Sequence, residues 1–102
     1  MTHNVLIYST WIKGHINWLN GFVNYFIKVG CKVFLSEETD ENKFHSILTK
    51  NKINYVYVWN GEYGIAAILK ETCESLNITY SILECGIFPQ NKYFIIGSFY
   101  LG

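Results

Sequence analysis

Short apolar segments alternate along this chain with longer amphipathic ones, and this alternation limits the folds that the chain can adopt. Five segments concentrate β-branched and aromatic residues and therefore predict strands; they cover residues 5–9, 31–35, 55–59, 78–83 and 93–96. Several are apolar at nearly every position, which is typical of parallel strands buried on both faces.

Three segments between the strands carry apolar residues at helical spacing, so they predict helices over residues 15–29, 40–51 and 63–76. Gly30 is expected to end the first helix, and Asp40 or Thr39 to cap the second. The side chains expected to face the core are Ile16, Leu19, Phe22, Val23 and Phe26, then Phe44, Ile47 and Leu48, and finally Ile65, Ile68, Leu69 and Cys73. Trp18 and Tyr25 extend the apolar surface of the first helix around most of its circumference.

This order of strands and helices, with short connections, favours right-handed crossovers and a parallel sheet. The sequence therefore predicts the α/β class, with a Rossmann-like three-layer sandwich built on a mainly parallel sheet of about five strands. At 102 residues, of which 50% are hydrophobic, the chain has material for one core, so residues 1–102 are expected to form a single domain.

Composition argues against several classes of function. The net charge is zero, and the eight basic residues are all lysines, whereas a nucleic-acid partner calls for an arginine-rich basic face. No basic and apolar leader opens the chain, and no apolar stretch is long enough to span a bilayer, so a cytoplasmic protein is expected. The three cysteines and three histidines form no metal-binding pattern, and no cofactor is predicted.

Two polar turns follow predicted strands, where open α/β sheets bind ligands. In the first, residues 9–15, Gly14 and His15 lie at the start of a helix and are candidates for binding an anion. In the second, residues 59–64, Asn60, Gly61 and Glu62 are candidates for contacts with a sugar or a phosphate. Ordinary turns also use these residue types, because glycine and asparagine tolerate positive φ, so that alternative stays open.

A third polar loop, residues 84–90, begins with Glu84 after the fourth predicted strand. A carboxylate held there by the loop residues Gly86 and Pro89 is a candidate general base for a sugar hydroxyl. A structural role for Glu84 is the alternative. The spacing of the cysteines and histidines supports no nucleophilic pair for Cys85.

The segments Trp59-Asn60-Gly61 and Leu83-Glu84-Cys85-Gly86-Ile87-Phe88-Pro89-Gln90, with the helix and strand between them, resemble a recurring pattern. It belongs to the capsular-polysaccharide biosynthesis and export family, which includes bacterial Kdo-type glycosyltransferases. The resemblance spans most of the chain through short motifs. Cys85 and Gly97 depart from it, since members often carry acidic residues at these places.

The resemblance implies half of a GT-B-like enzyme, in which two Rossmann-like domains hold substrates between them. Asn60, Gly61, Glu84, Gly86 and Pro89 are the positions that match its motifs, with Glu84 as the catalytic carboxylate. A second domain, expected after residue 102, would bind the nucleotide-sugar, and this segment alone would bind a glycan acceptor without turnover. The alternative is a small non-catalytic binding or interaction module, for which the apolar first helix also suits a homodimer.

Overall fold

The strands and helices follow the predicted order. The structure, a computed structural model, describes residues 3–10, 12, 16–59, 64–85 and 93–95. Its elements are β1 (Asn4–Tyr8), α1 (Ile16–Lys28), β2 (Lys32–Ser36), a 3₁₀ turn (Glu41–Lys43) continued by α2 (Phe44–Lys50), β3 (Tyr55–Trp59), α3 (Gly64–Ser75), β4 (Thr79–Cys85) and β5 (Tyr93–Ile95). The side chain of Asp40 caps the 3₁₀ turn by accepting the N–H of Asn42, as the sequence indicated.

The strands form one sheet in the order β2-β1-β3-β4-β5. The pairs β1–β2, β1–β3 and β3–β4 are parallel, while the short β5 runs antiparallel to β4. The predicted α/β class and its parallel sheet are confirmed for these four strands, and the arrangement is consistent with a Rossmann-like fold. The chain places β2 on one side of β1 and β3 on the other, so its direction of growth reverses at β1.

The two faces of the sheet are covered unequally. α2 and α3 pack on one face, where Leu6, Tyr8, Val56, Val58 and Ile82 of the strands are buried. α1 covers the other face and buries Leu19 against Val5 and Ile7 of β1. Because successive strand residues point to opposite faces, nearly continuous apolar strands are what such a three-layer arrangement requires.

The inward faces of the helices largely match the predicted ones. Leu19, Phe44, Leu48, Leu69 and Cys73 are buried. In α3 the buried position one turn before Leu69 is Ala66, whereas Ile65 and Ile68 are only partly buried against the same core. The small side chain of Ala66 lets α3 approach the sheet closely, so the larger isoleucines lie at the margins of the contact.

All three helices end with the same hydrogen-bonded motif. After α1 the N–H of Cys31 donates to the carbonyl of Phe26 at 2.9 Å, while the N–H of Gly30 donates to Ile27 at 3.0 Å. The bonds Ile53→Leu48 and Lys52→Thr49 repeat this pattern after α2, and Ile78→Cys73 and Asn77→Glu74 repeat it after α3. In these three caps Gly30, Lys52 and Asn77 have positive φ, as a Schellman motif requires. Each helix therefore leads into its following strand through a cap of the same geometry.

Asn4 fixes the start of β1 against the connection between α2 and β3. Its side-chain amide donates to the carbonyls of Asn51 and Lys52 at 3.0 and 3.1 Å. Its backbone N–H donates to the side-chain oxygen of Asn54 at 2.8 Å, and its carbonyl accepts the N–H of Asn54 at 2.8 Å. These bonds help to set the parallel register in which Val5 lies opposite Tyr55.

Candidate functional site

The carboxyl ends of β1, β3 and β4 lie at one edge of the sheet, which we call the carboxyl edge. Tyr8 of β1 is level with Val58 of β3, and Trp59 of β3 is level with Leu83 of β4. The segments 9–15 and 60–63, for which the sequence predicted turns, come directly after these strand ends in the chain. The reversal point between β1 and β3 also lies here, and ligands of open α/β sheets bind at such a point.

Most of the predicted site residues belong to segments that follow these strand ends in the sequence. Gly14, His15, Asn60, Gly61, Glu62, Gly86 and Pro89 all lie outside the described residues. Their roles therefore stay predictions.

Glu84 lies at the carboxyl edge, but its backbone position differs from the expected one. The sequence predicted that the fourth strand ends at residue 83, whereas β4 continues to Cys85. The extension arises because β5 pairs with this end of β4, with Phe94 opposite Glu84 and Tyr93 opposite Cys85. Glu84 is therefore held within a strand ladder, while its side chain lies outside the described part of the chain.

The structure adds two carboxylates that the sequence did not single out as site residues. Glu37 and Glu38 follow β2, the neighbour of β1. A carboxylate oxygen of Glu37 accepts the N–H of Ile12, 3.1 Å away, so the first turn is tied to the segment after β2. This bond brings a negative charge to the turn for which anion binding was predicted, and it already occupies one of the turn's N–H donors.

Hydrogen bonds and one ion pair hold Glu38 in place. Its carboxylate accepts the N–H groups of Thr39 and Asp40, at 3.1 and 3.3 Å, and lies 3.8 Å from the ammonium group of Lys43. The hydroxyl of Tyr8 donates to the carbonyl of Glu38 at 2.5 Å. Burial, with a smaller contribution from the charge of Glu38, raises the pKa of Tyr8, so this tyrosine stays a neutral donor. The only signal in the sequence was an acidic pair directly after an apolar strand.

A second surface lies on the face of the sheet that α1 covers. We call it the α1-face groove and define it by Phe22, Tyr25, Phe26, Tyr55 and Tyr57. Ring centroids of Phe22 and Phe26 each lie 5.2 Å from that of Tyr57, and those of Tyr55 and Tyr57 are 4.7 Å apart. The sequence predicted Phe22 and Phe26 as core residues, while Tyr55 and Tyr57 were not recognised as sharing one face.

Two adjoining cavities open along this groove. One, of about 470 Å³, lies between α1 and Tyr57 beside Gly21, whose missing side chain leaves space. The other, of about 440 Å³, reaches the opposite end of the strands, where His3, Cys31, Asn54 and Thr79 line it. Among the residues that the structure describes, no carboxylate or ammonium group lines either cavity. Such a lining suits an uncharged ring better than a phosphate, which would lose its hydration without gaining a counter-charge.

Tyr57 lies at the centre of this groove. Burial, followed by the charge and the hydrogen bond of Tyr55, raises the pKa of Tyr57 to about 12. The hydroxyl of Tyr55 is in turn hydrogen-bonded to that of Ser81, which is fully buried on β4. The hydroxyl of Tyr57 therefore stays protonated at physiological pH, and the floor of the groove presents it as a neutral group.

Three further observations bear on function. No family model matches the chain, and no curated protein matches it either. Among the described residues, no three His, Cys, Asp or Glu side chains come together as a metal site would require. No helix in the part of the chain that the structure describes combines the length and the apolar character needed to cross a bilayer.

Proposed function

We propose that this chain is the N-terminal, Rossmann-like part of a glycosyltransferase-like protein that acts in bacterial surface-polysaccharide biosynthesis. In this proposal the carboxyl edge binds a glycan acceptor, and a second domain supplies the nucleotide-sugar to complete a GT-B-like cleft. The site belongs to a cytoplasmic enzyme and uses no metal or other cofactor. The motifs that resemble capsular-polysaccharide enzymes are the origin of the proposal.

One observation carries most of the weight. The parallel register makes Trp59 level with Leu83, so the first residue of one motif and Glu84 of the other lie at the same edge of the sheet. This supports the proposal that the two motifs serve one site. Glu84 would act as the acid/base or acceptor-orienting carboxylate, and Asn60, Gly61 and Glu62 would contact the sugar. Gly14 and His15, with Gly86 and Pro89, would complete the rim.

A transfer assay tests this proposal. The complete reading frame is incubated with CMP- and UDP-sugars and a capsular oligosaccharide acceptor, and sugar transfer is measured. Glu84→Gln is expected to lower the rate by about 10²-fold or more, because the amide cannot exchange the proton. Glu71→Gln is the matched control, since Glu71 is exposed on α3. Absence of transfer, or an unchanged rate in Glu84→Gln, would contradict the catalytic assignment.

The α1-face groove favours a second candidate, a non-catalytic binding module for an uncharged ring compound. Its support is the lining around Tyr57, which is aromatic and, among the described residues, carries no charged group. Titration of the ¹⁵N-labelled chain separates the two candidates. Indole should shift amides near Phe22 and Tyr57 if the groove binds rings, whereas an acceptor oligosaccharide should shift amides near Thr10 and Trp59. Indole binding that survives Tyr57→Ala would exclude the groove as the site.

A further inference from the structure

The strand β2 forms one edge of the described sheet and pairs there only with β1. The N–H of Lys32 donates inward to the carbonyl of His3 at 2.8 Å, and the carbonyl of Ser36 accepts the N–H of Ser9 at 3.1 Å. Because hydrogen bonding alternates along a parallel strand, residues 32, 34 and 36 direct their backbone groups toward β1. Val33 and Leu35 therefore direct theirs toward the open edge.

This edge lacks the features that usually protect such strands. Proteins place charges, prolines or bulges on edge strands to prevent pairing. β2 has the sequence KVFLS, is regular over its five residues and carries one charge, on Lys32 at its first position. Leu35 is 47% exposed, which is unusual for a leucine within a strand.

An exposed residue of α1 adds to the apolar surface on the face of the sheet that also carries Leu35. Ile27 is 57% exposed, and it lies roughly 200° around the helix from Tyr25, which borders the α1-face groove. Ile27 thus lies on the flank of α1 away from β3. Leu35 is the register neighbour of the inward-facing Ile7 and so shares the face that α1 covers.

We propose that β2 pairs antiparallel with β2 of a second copy of this chain, so that the two sheets become continuous across a two-fold axis. Placing the axis at Phe34 sets Val33 opposite Leu35 in both directions. All the outward backbone groups of these two residues then pair, giving four hydrogen bonds. An axis at Val33 or Leu35 leaves one of these residues facing a position outside the strand. The self-complementary register is therefore centred on Phe34.

Side chains fit this register. Val33 and Leu35 of the two copies form apolar pairs on the α1 face, and the two Phe34 rings meet on the other face at the closest type of antiparallel pair. Lys32 lies opposite Ser36, two residues before Glu38, rather than opposite a second lysine. Like charges thus stay apart, which is why a second copy fits better than an arbitrary strand. The inference holds for either proposed function.

Sedimentation and amide exchange of the full chain test the proposal. The wild type should form a dimer that dissociates on dilution. In the dimer the amides of Val33 and Leu35 should exchange as slowly as those of Lys32 and Phe34, which are bonded to β1 in either state. A wild type that stays monomeric, or a dimer in which the amides of Val33 and Leu35 exchange rapidly, would overturn it.

Matched variants locate the interface. Leu35→Lys introduces a charge at the edge without removing a bond to β1, and it should raise the dimer dissociation constant at least tenfold. Tyr25→Lys makes the same kind of change at a residue that is 61% exposed on the other flank of α1, and the dimer should persist. The opposite pattern would refute pairing through β2. If Leu35→Lys does not fold, the wild-type exchange pattern decides.

Discussion

The pKa of Tyr57 depends on the side chains that surround it. Its ring contacts Phe22 and Phe26 of α1, and its hydroxyl lies beside that of Tyr55. The raised pKa, to about 12, means that the folded chain holds the phenolic proton more tightly than the unfolded chain, whose tyrosines ionise near pH 10. This contribution to stability is complete below about pH 10 and is lost as the pH rises toward about 12.

We expect Tyr57→Phe to flatten the decline of the unfolding free energy between about pH 10 and pH 12, because the substitution removes the group whose proton is lost. Urea unfolding at a series of pH values measures this slope. Tyr25→Phe, at a more exposed ring of the same groove, should leave most of the slope in place. An equal effect of both variants would contradict the assignment.

Single residues were predicted unevenly from the sequence. Apolar spacing identified Leu19, Leu69 and Cys73 as buried, because burial follows directly from the helical period. The bond between Glu37 and the N–H of Ile12 was not foreseen, since it depends on β2 lying beside β1. Strand order is a property of the folded chain that local patterns do not encode. Of the candidate site residues, the structure describes the backbone of Glu84 alone.

The shared caps are the clearest regularity among the elements. Glycine at position 30 was recognised as a helix end, whereas Lys52 and Asn77 were not. Lysine gives no sign of a positive φ, although asparagine is a known alternative to glycine at such caps. The three caps differ in strain: glycine adopts this conformation freely, while a residue with a Cβ atom, such as lysine, costs roughly 1–2 kcal/mol. The predicted ends of all three helices, including the one before Gly30, lie one residue beyond the observed ends.

We expect Gly30→Ala to lower the unfolding free energy by about 1–2 kcal/mol, because φ at this position is +94° and alanine is strained there. Lys52→Gly should raise the unfolding free energy by up to about 1 kcal/mol, since it relieves the same strain in α2 at some cost in chain entropy. Urea unfolding of both variants provides the measurement. Lys50→Gly, within α2, is the control, and it should destabilise. If Lys52→Gly destabilises as much, strain at this cap is disproved.

The whole molecule is a sheet whose faces are covered to different extents. Two helices bury the face of the sheet that carries Leu6, whereas α1 covers the other face and leaves the α1-face groove open. The alternation of strands and helices predicted the three layers, but it did not indicate how completely each face of the sheet is covered. The difference arises from chain order, since the step from β2 to β3 crosses β1 and places α2 on the same side as α3.

We expect α1 to open at a lower free energy than α2 and α3, because fewer elements hold it. Leu19→Ala and Leu69→Ala form a matched pair, since both leucines are at most 1% exposed and lie on opposite faces. Each should cost about 2–5 kcal/mol of global stability. Native-state hydrogen exchange should show that Leu19→Ala selectively accelerates the amides of α1. Uniform acceleration across the three helices would show that the layers unfold together.

The three identical caps have a consequence for how chains of this kind diverge. Each cap fixes the number of residues between a helix and the strand that follows it. An inserted or deleted residue there would break two hydrogen bonds and shift the strand. Insertions and deletions in related chains should therefore accumulate at the carboxyl edge, where the strands lead into the helices. New binding specificities can then arise at the carboxyl edge while the helix caps keep the strands in register.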